Sequence, residues 1–120
     1  MNERSGAESG KAGNGERLQA RLGTSPEALA AFCERWHVSE LALFGSILRD
    51  EFGPESDIDM LVTFSPGGTP GLAFVSMADE LSDMLGRPVD VLTRPSVERS
   101  RNYIRRKAIL EAAEVIYAAG

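Results

Sequence analysis

Two aspartates one residue apart, Asp57 and Asp59, sit in "SDIDMLVTF", whose remaining residues are those of a buried strand. Residues i and i+2 of a strand point to the same face. The two carboxylates therefore project together, while Ile58 and Met60 turn toward the opposite layer. Like charges held this close raise each other's pKa and oppose ionisation. A divalent cation removes that penalty. Mg²⁺ suits the pair, because it prefers oxygen ligands and keeps positions open for water and substrate phosphates. Two such ions about 3.5–4 Å apart can clamp the attacking and leaving oxygens of a phosphoryl transfer. That chemistry wants a third carboxylate. Asp90, between Val89 and Val91 in "PVDVLT", is again an acid inside an apolar strand. It can face the same point if its strand pairs beside the first.

Gly45-Ser46 supplies the remaining part. Glycine lets a backbone approach a phosphate closely, amides opening a helical turn form an anion nest, and Ser46 adds a hydroxyl donor. The chain between Ser46 and Asp57 is long enough to make a helical turn and return as the neighbouring strand, so nest and metals can share one triphosphate.

The elements that must position these groups are legible in outline. Ser25-Pro26-Glu27 opens a helix with a cap, a proline in the first turn and an acid near the positive end. Leu29, Phe32, Cys33 and Trp36 continue it at helical spacing. Val38 to Phe44 reads as a strand ended by Gly45-Ser46, Ile47 to Phe52 as a short helix, and Ile58 to Phe64 as a second strand after the Gly53-Pro54 break. Leu72 to Leu85 carries a helical apolar stripe closed by Gly86. Val89 to Leu92 is a third strand, and Ser96 to Arg106 a helix capped by Ser96. Lys107 to Tyr117 reads either as helix or, at Val115-Ile116-Tyr117, as a last edge strand. The expected fold is α/β (α+β): a small mixed sheet flanked by helices, mainly on one face. Residues 1–17 hold no Val, Ile, Leu, Phe, Tyr or Trp. They are expected to be a disordered tail before a single domain over 18–120.

A Gly-Ser turn after an apolar strand, then acid-hydrophobic-acid, then a lone acid on a later strand, resembles the DNA polymerase beta-like nucleotidyltransferase superfamily. Within it, the short length and "FGSILRDEFGPESDIDMLVTF" are similar to the minimal nucleotidyltransferases, the MNT proteins, and "YIRRKAILEAAEVIY" to the tail they carry. The resemblance spans about residues 25 to 118 and implies the nucleotidyltransferase fold. It implies transfer of a nucleoside monophosphate from an NTP to a hydroxyl, with release of pyrophosphate. Gly45 and Ser46 match the phosphate-binding turn, and Arg49 falls where many minimal members have an arginine that can contact phosphate. Asp57 and Asp59 match the metal-binding pair. Asp90 matches the third acid, which helps hold the catalytic metal and favours deprotonation of the acceptor. Asp50 departs from the pattern, standing where related sequences commonly have glycine. Many stand-alone MNT proteins are antitoxins of HEPN-domain toxins. The resemblance thus implies ATP as substrate, two Mg²⁺ ions, a HEPN toxin in a hetero-oligomer, and adenylylation of a tyrosine on it. Two other readings stay open: an antitoxin that neutralises its toxin by binding alone, and a nucleotidyltransferase acting on a small molecule. The latter normally brings a second domain that this length does not accommodate.

Composition narrows the rest. The net charge of −5 argues against nonspecific nucleic-acid binding, and no nucleic-acid partner is expected. No apolar run reaches the roughly 20 residues of a membrane helix, and the N-terminus has no signal-peptide core. One cysteine precludes an internal disulfide. A soluble cytoplasmic protein is expected. Cys33 reads as a buried thiol on the apolar stripe, and His37 as a capping or surface residue. Glu51 and Glu55 read as exposed acids. The basic run from Arg94 to Lys107 is either a solvated helix face or a surface for an acidic partner or RNA.

Overall fold

The computed structural model describes residues 17–18, 20–68 and 71–119. The tail expected over residues 1–17 lies outside them except for Arg17, which belongs with Leu18 and residues 20–22 to a helical stretch. Helix α1 spans Pro26–Arg35. Its cap is the expected one: Ser25 Oγ accepts from the Ala28 amide at 3.0 Å. Strand β1 (Val38–Phe44) follows, then a single 3₁₀ turn, Gly45–Leu48, in place of the short helix expected over Ile47 to Phe52. Strand β2 is Ile58–Phe64, helix α2 Leu72–Leu85 and strand β3 Val89–Thr93. Gly86 ends α2 in the left-handed conformation at φ 74°, the backbone state that glycine adopts without penalty.

The helix expected over Ser96 to Arg106 is two helices. Helix α3 is Arg94–Glu98, capped by the Thr93 hydroxyl, which accepts from the Ser96 amide. Helix α4 is Tyr103–Ala112, capped by Asn102 Oδ1 accepting from the Arg105 amide at 3.0 Å. Two side-chain caps within nine residues make two helix starts more favourable than one continuous helix. The ambiguous C-terminal stretch divides: helix to Ala112, then strand β4, Glu114–Ala118.

The sheet order is β3-β2-β1-β4. β1 pairs antiparallel with β2 and with β4, while β2 and β3 run parallel. The parallel pair is joined by α2, the helical crossover such neighbours require. Alternation along the strands sends residues to two cores. On one face Leu41, Leu43, Ile58, Met60 and Val62 pack beneath α1, α2 and the helical residues 20–22, with Leu22, Phe32, Met77 and Leu81 buried against them. On the other face Ala42, Phe44 and Leu61 meet Val97 of α3 and Ile109 of α4. Helical cover thus lies mainly on one face, as expected, and the thinner layer is the one that carries the acids. Cys33 is fully buried, and burial pushes its thiol pKa up to about 12, which leaves it protonated and unreactive. His37 is exposed at φ 60°, turning the chain from α1 into β1. Among the described residues no helix is long and apolar enough to cross a membrane.

Candidate functional site

β2 and β3 run parallel in a register that sets Asp59 directly beside Asp90. Neighbouring strands lie about 4.8 Å apart, so the two carboxylates rise side by side from the thinly covered face. Asp57 stands one residue before β2, exposed, and bears electrostatically on Asp59. On the other flank, antiparallel pairing puts Phe44 of β1 opposite Asp59, and the next residue is Gly45. The turn therefore adjoins the acids, and its contact with them is close. A Cβ at Gly45 would overlap the Asp59 carboxylate, coming within 3.1 Å of its Cγ. Gly45 also sits at φ +80°, a backbone region that costs an L-residue about 1–2 kcal/mol. Glycine is required here twice over, by conformation and by space. Ser46 follows, half-buried in the turn, whose first amides meet no capping side chain.

Asp59 is the electrostatic centre of the group. Desolvation by burial raises its pKa above the usual carboxylate value, and the charges of Asp90 and Asp57 raise it further. Arg105 and Arg49 pull it the other way. Two guanidinium groups thus act on the Asp59 carboxylate, Arg49 at the end of the turn and Arg105 in the first turn of α4. Arg49 is exposed and its Nε lies 3.3 Å from Glu51. Glu55 is exposed as well. Among the described residues, no three acidic, histidine or cysteine side chains close into a ready-made metal cage. What the strands present is an open carboxylate pair with a third acid at its edge. Asp50 lies at the exposed start of the following loop, and His37 is the one non-glycine among the described residues at positive φ. The Asp50 position thus needs no glycine.

Several residues that hold the site went unread in the sequence. The Arg21 guanidinium donates to the carbonyls of Ile47 and Arg49 at 2.7 and 2.6 Å, tying the turn to the helical residues 20–22. Arg87, at the entry to β3, donates to the carbonyls of Gly53 and Ser56 at 3.1 and 2.9 Å. The Phe52 ring lies against both cations, 5.4 Å from Arg21 and 4.6 Å from Arg87. The Ile58 amide donates to Pro88 O at 3.1 Å. These contacts staple the loop that leads from the Gly-Ser turn to Asp57. Arg87→Met keeps much of the side-chain stem but leaves two carbonyls without their donor. It should lower the melting temperature by about 4–8 °C, the equivalent of roughly 1 kcal/mol in a domain of this size. Amide exchange should speed up over residues 53–57 while the α1 amides stay protected.

The basic run likewise resolves into separate roles. Arg94 lies 3.6 Å from Glu40, Arg106 donates to Ser100 O at 2.7 Å and stacks near Tyr103, and the charge of Arg105 bears on Asp59. Its place in the cluster was readable, but its electrostatic link to Asp59 was not.

Comparison with known proteins identifies the family and the fold. Residues 26–115 match the nucleotidyltransferase domain family. A Methanocaldococcus jannaschii protein provisionally named a protein adenylyltransferase is 39% identical over 74 residues, 61% of this chain and 71% of its own. The protein adenylyltransferase MntA of Thermococcus cleftensis is 36% identical over 66 residues, 54% of this chain and 65% of its own. A solved structure described as a minimal nucleotidyltransferase superposes with a TM-score of 0.60 at 30% identity, covering 83% of this chain and 93% of that one. A toxin-antitoxin structure with AMP-PNP shares the fold at 17% identity, with a TM-score of 0.61 over 80% of this chain and 75% of that one. With a family match across three quarters of its length and strand-borne acids set against a glycine turn, the chain belongs to the nucleotidyltransferase domain family.

Proposed function

We propose that this nucleotidyltransferase moves the AMP moiety of ATP onto a hydroxyl, a tyrosine side chain, of a partner protein, and that the partner is the HEPN-type toxin it restrains. The observation that carries the reading is the register pair Asp59–Asp90 with Gly45 packed against Asp59. It sets a carboxylate pair and a side-chain-free turn at one point, the arrangement that a metal-bound triphosphate needs. The relatives named as protein adenylyltransferases support a protein as acceptor. The MntA-HepT toxin-antitoxin neighbours support a toxin as that protein.

The site fits magnesium. Mg²⁺ is commonly held by one or two carboxylates plus substrate phosphates and water, so an open pair suits it better than a closed cage would. Asp59 and Asp90 would hold it, with Asp57 as the further ligand, and the missing Cβ at Gly45 lets the turn seat directly against the Asp59 carboxylate. When bound, Mg²⁺ neutralises charge on the triphosphate and on the carboxylates together. The chain's own groups do the rest. The Gly45–Leu48 turn receives the β- and γ-phosphates, with the Ser46 hydroxyl donating, and Arg49 steadies the tail. Asp90, exposed at the β3 side, takes the acceptor's proton. The acceptor oxygen bonds to the α-phosphorus as the bond to the bridging oxygen breaks, and pyrophosphate leaves with that electron pair. Function in the cytoplasm, where ATP and such a partner would meet, completes the reading.

Incubation of the full chain and a co-expressed HEPN partner with Mg²⁺ and radiolabelled ATP tests it. Label placed on the α-phosphorus should appear on the partner, and label on the γ-phosphorus should not. Transfer of γ-label, or no transfer to any tyrosine, would overturn the reading.

A further inference from the structure

A second concavity opens beside the acids. It has a volume of about 220 Å³ and lies between β3, α3 and α4. Leu92 and the buried Val97 and Ile109 form its floor, and Ser96, Ser100, Arg105 and Arg106 make a largely polar wall. Leu92 follows Asp90 by two residues on the same strand, so it shares that face about 6–7 Å further along. Arg105 belongs to both places: it lines the cavity and acts on the Asp59 carboxylate. Its side chain makes no hydrogen bond or ion pair with another described residue, whereas the neighbouring Arg106 is committed to Ser100 O.

Topology says which side of the reaction this cavity serves. Across the sheet the order is β3, β2, β1. The Gly45 turn at the end of β1 lies on one flank of Asp59, while Asp90 and the cavity lie on the other. In phosphoryl transfer the attacking and leaving oxygens stand roughly in line across phosphorus. With pyrophosphate held at the turn, the nucleophile must enter from the β3 flank. Size agrees. Sites that enclose a drug-sized ligand measure about 300–1,000 Å³, so this cavity is too small for a nucleotide and suited to one side chain. Its chemistry selects the side chain: an apolar floor takes a ring, and a guanidinium at the wall favours an aromatic face.

We infer that the cavity formed by Leu92, Val97, Ile109, Ser96 and Arg105 is the acceptor subsite, which seats an aromatic hydroxyl side chain of the partner with its oxygen turned toward Asp90. The inference rests on the proposed transfer and adds the place where the acceptor ring is held. Arg105 acts here as a positioning residue, holding the ring while its charge faces the carboxylates.

The probe is N-acetyltyrosinamide, titrated up to about 10 mM, the range in which so small a ligand binds, into the methyl-labelled full chain. Methyl signals of Leu92, Val97 and Ile109 should shift with the tyrosine amide, and should still shift when Mg²⁺ and AMP-PNP are present. N-acetylserinamide should bind about tenfold more weakly, because it lacks the ring. Ser96→Trp fills the cavity from an exposed position. It should abolish the shifts while AMP-PNP affinity stays within about twofold, a change below 0.5 kcal/mol. If AMP-PNP alone saturates these methyl signals and displaces the tyrosine amide, the cavity is a base pocket and the inference fails. It also fails if the tyrosine amide shifts none of them, or if the serine amide binds equally well. Binding is read here without turnover. Absent labelling of the partner beside a responsive cavity would condemn the transfer reading, and labelling beside a silent cavity would condemn this one.

Discussion

Asp59→Asn should reduce nucleotidyl transfer by about 10³-fold and leave the metal-free protein no less stable than wild type. The first half follows from its position. Asp59 is the carboxylate that Asp90, Asp57, Arg49 and Arg105 all address. A metal ligand at the reacting phosphate supplies several kcal/mol of charge stabilisation, and about 4 kcal/mol corresponds to a thousandfold in rate. The second half follows from the sign of the pKa shift. Burial first, then the charges of Asp90 and Asp57, raise the Asp59 pKa in the folded state. A carboxyl with a raised folded pKa binds its proton more tightly folded than unfolded. It favours folding most at acidic pH, and that contribution is lost as pH rises from the ordinary aspartate range through the raised value. At neutral pH the ionised side chain is therefore a burden on the metal-free fold, and asparagine removes it. Thermal melts from pH 3 to pH 8 should show a flatter profile for the variant in the acidic range, with an equal or higher melting temperature near neutrality. Magnesium should raise the wild-type melting temperature and not that of the variant. A variant that transfers AMP at wild-type rate, or that melts lower at pH 7, would contradict this account. Toxin neutralisation by the same variant decides a separate point. If it persists without transfer, masking alone suffices for protection.

The acids were legible because they break a pattern. An aspartate between Ile58 and Met60, or between Val89 and Val91, has no place in an apolar strand unless something compensates it, and such local violations gather at functional sites. Gly45 was legible for a related reason, since a strand that ends on glycine signals a turn of special geometry. The caps of α1 and α2 were readable from Ser25-Pro26 and Gly86. The split between α3 and α4 was not. "SRN" inside a run of arginines looks like the polar face of one helix, and only the Asn102 cap shows the restart. The staple around Phe52 was hidden for a different reason. Arg87 meets the carbonyls of Gly53 and Ser56 across 34 and 31 residues of sequence, a proximity fixed only once β3 docks beside β2. Backbone carbonyls leave no trace in residue type, so an arginine that serves them looks like any surface arginine. The role of Arg105 was obscured similarly, by five neighbouring basic residues with the same composition signal.

Gly45→Ala should damage the site through two separable effects, and a double-mutant cycle can tell them apart. The first is conformational: at φ +80° an alanine costs about 1–2 kcal/mol, which alone lowers the melting temperature by roughly 4–16 °C. The second is steric and local. The new methyl group occupies the space of the Asp59 carboxylate, so that side chain must leave the rotamer that sets it beside Asp90. Transfer should then fall by about 10²-fold or more, the scale set by a misplacement of about 1 Å, with the apparent Mg²⁺ requirement moved to higher concentration. Asp59→Ala takes away the clashing carboxylate while the backbone strain remains. In that background Gly45→Ala should therefore cost only the conformational part, giving a coupling energy of about 0.5–3 kcal/mol, as expected for residues in contact. Equal destabilisation in both backgrounds would mean that the turn and Asp59 are independent. The tight seating of the turn against the acid, on which a shared triphosphate depends, would then have to be given up.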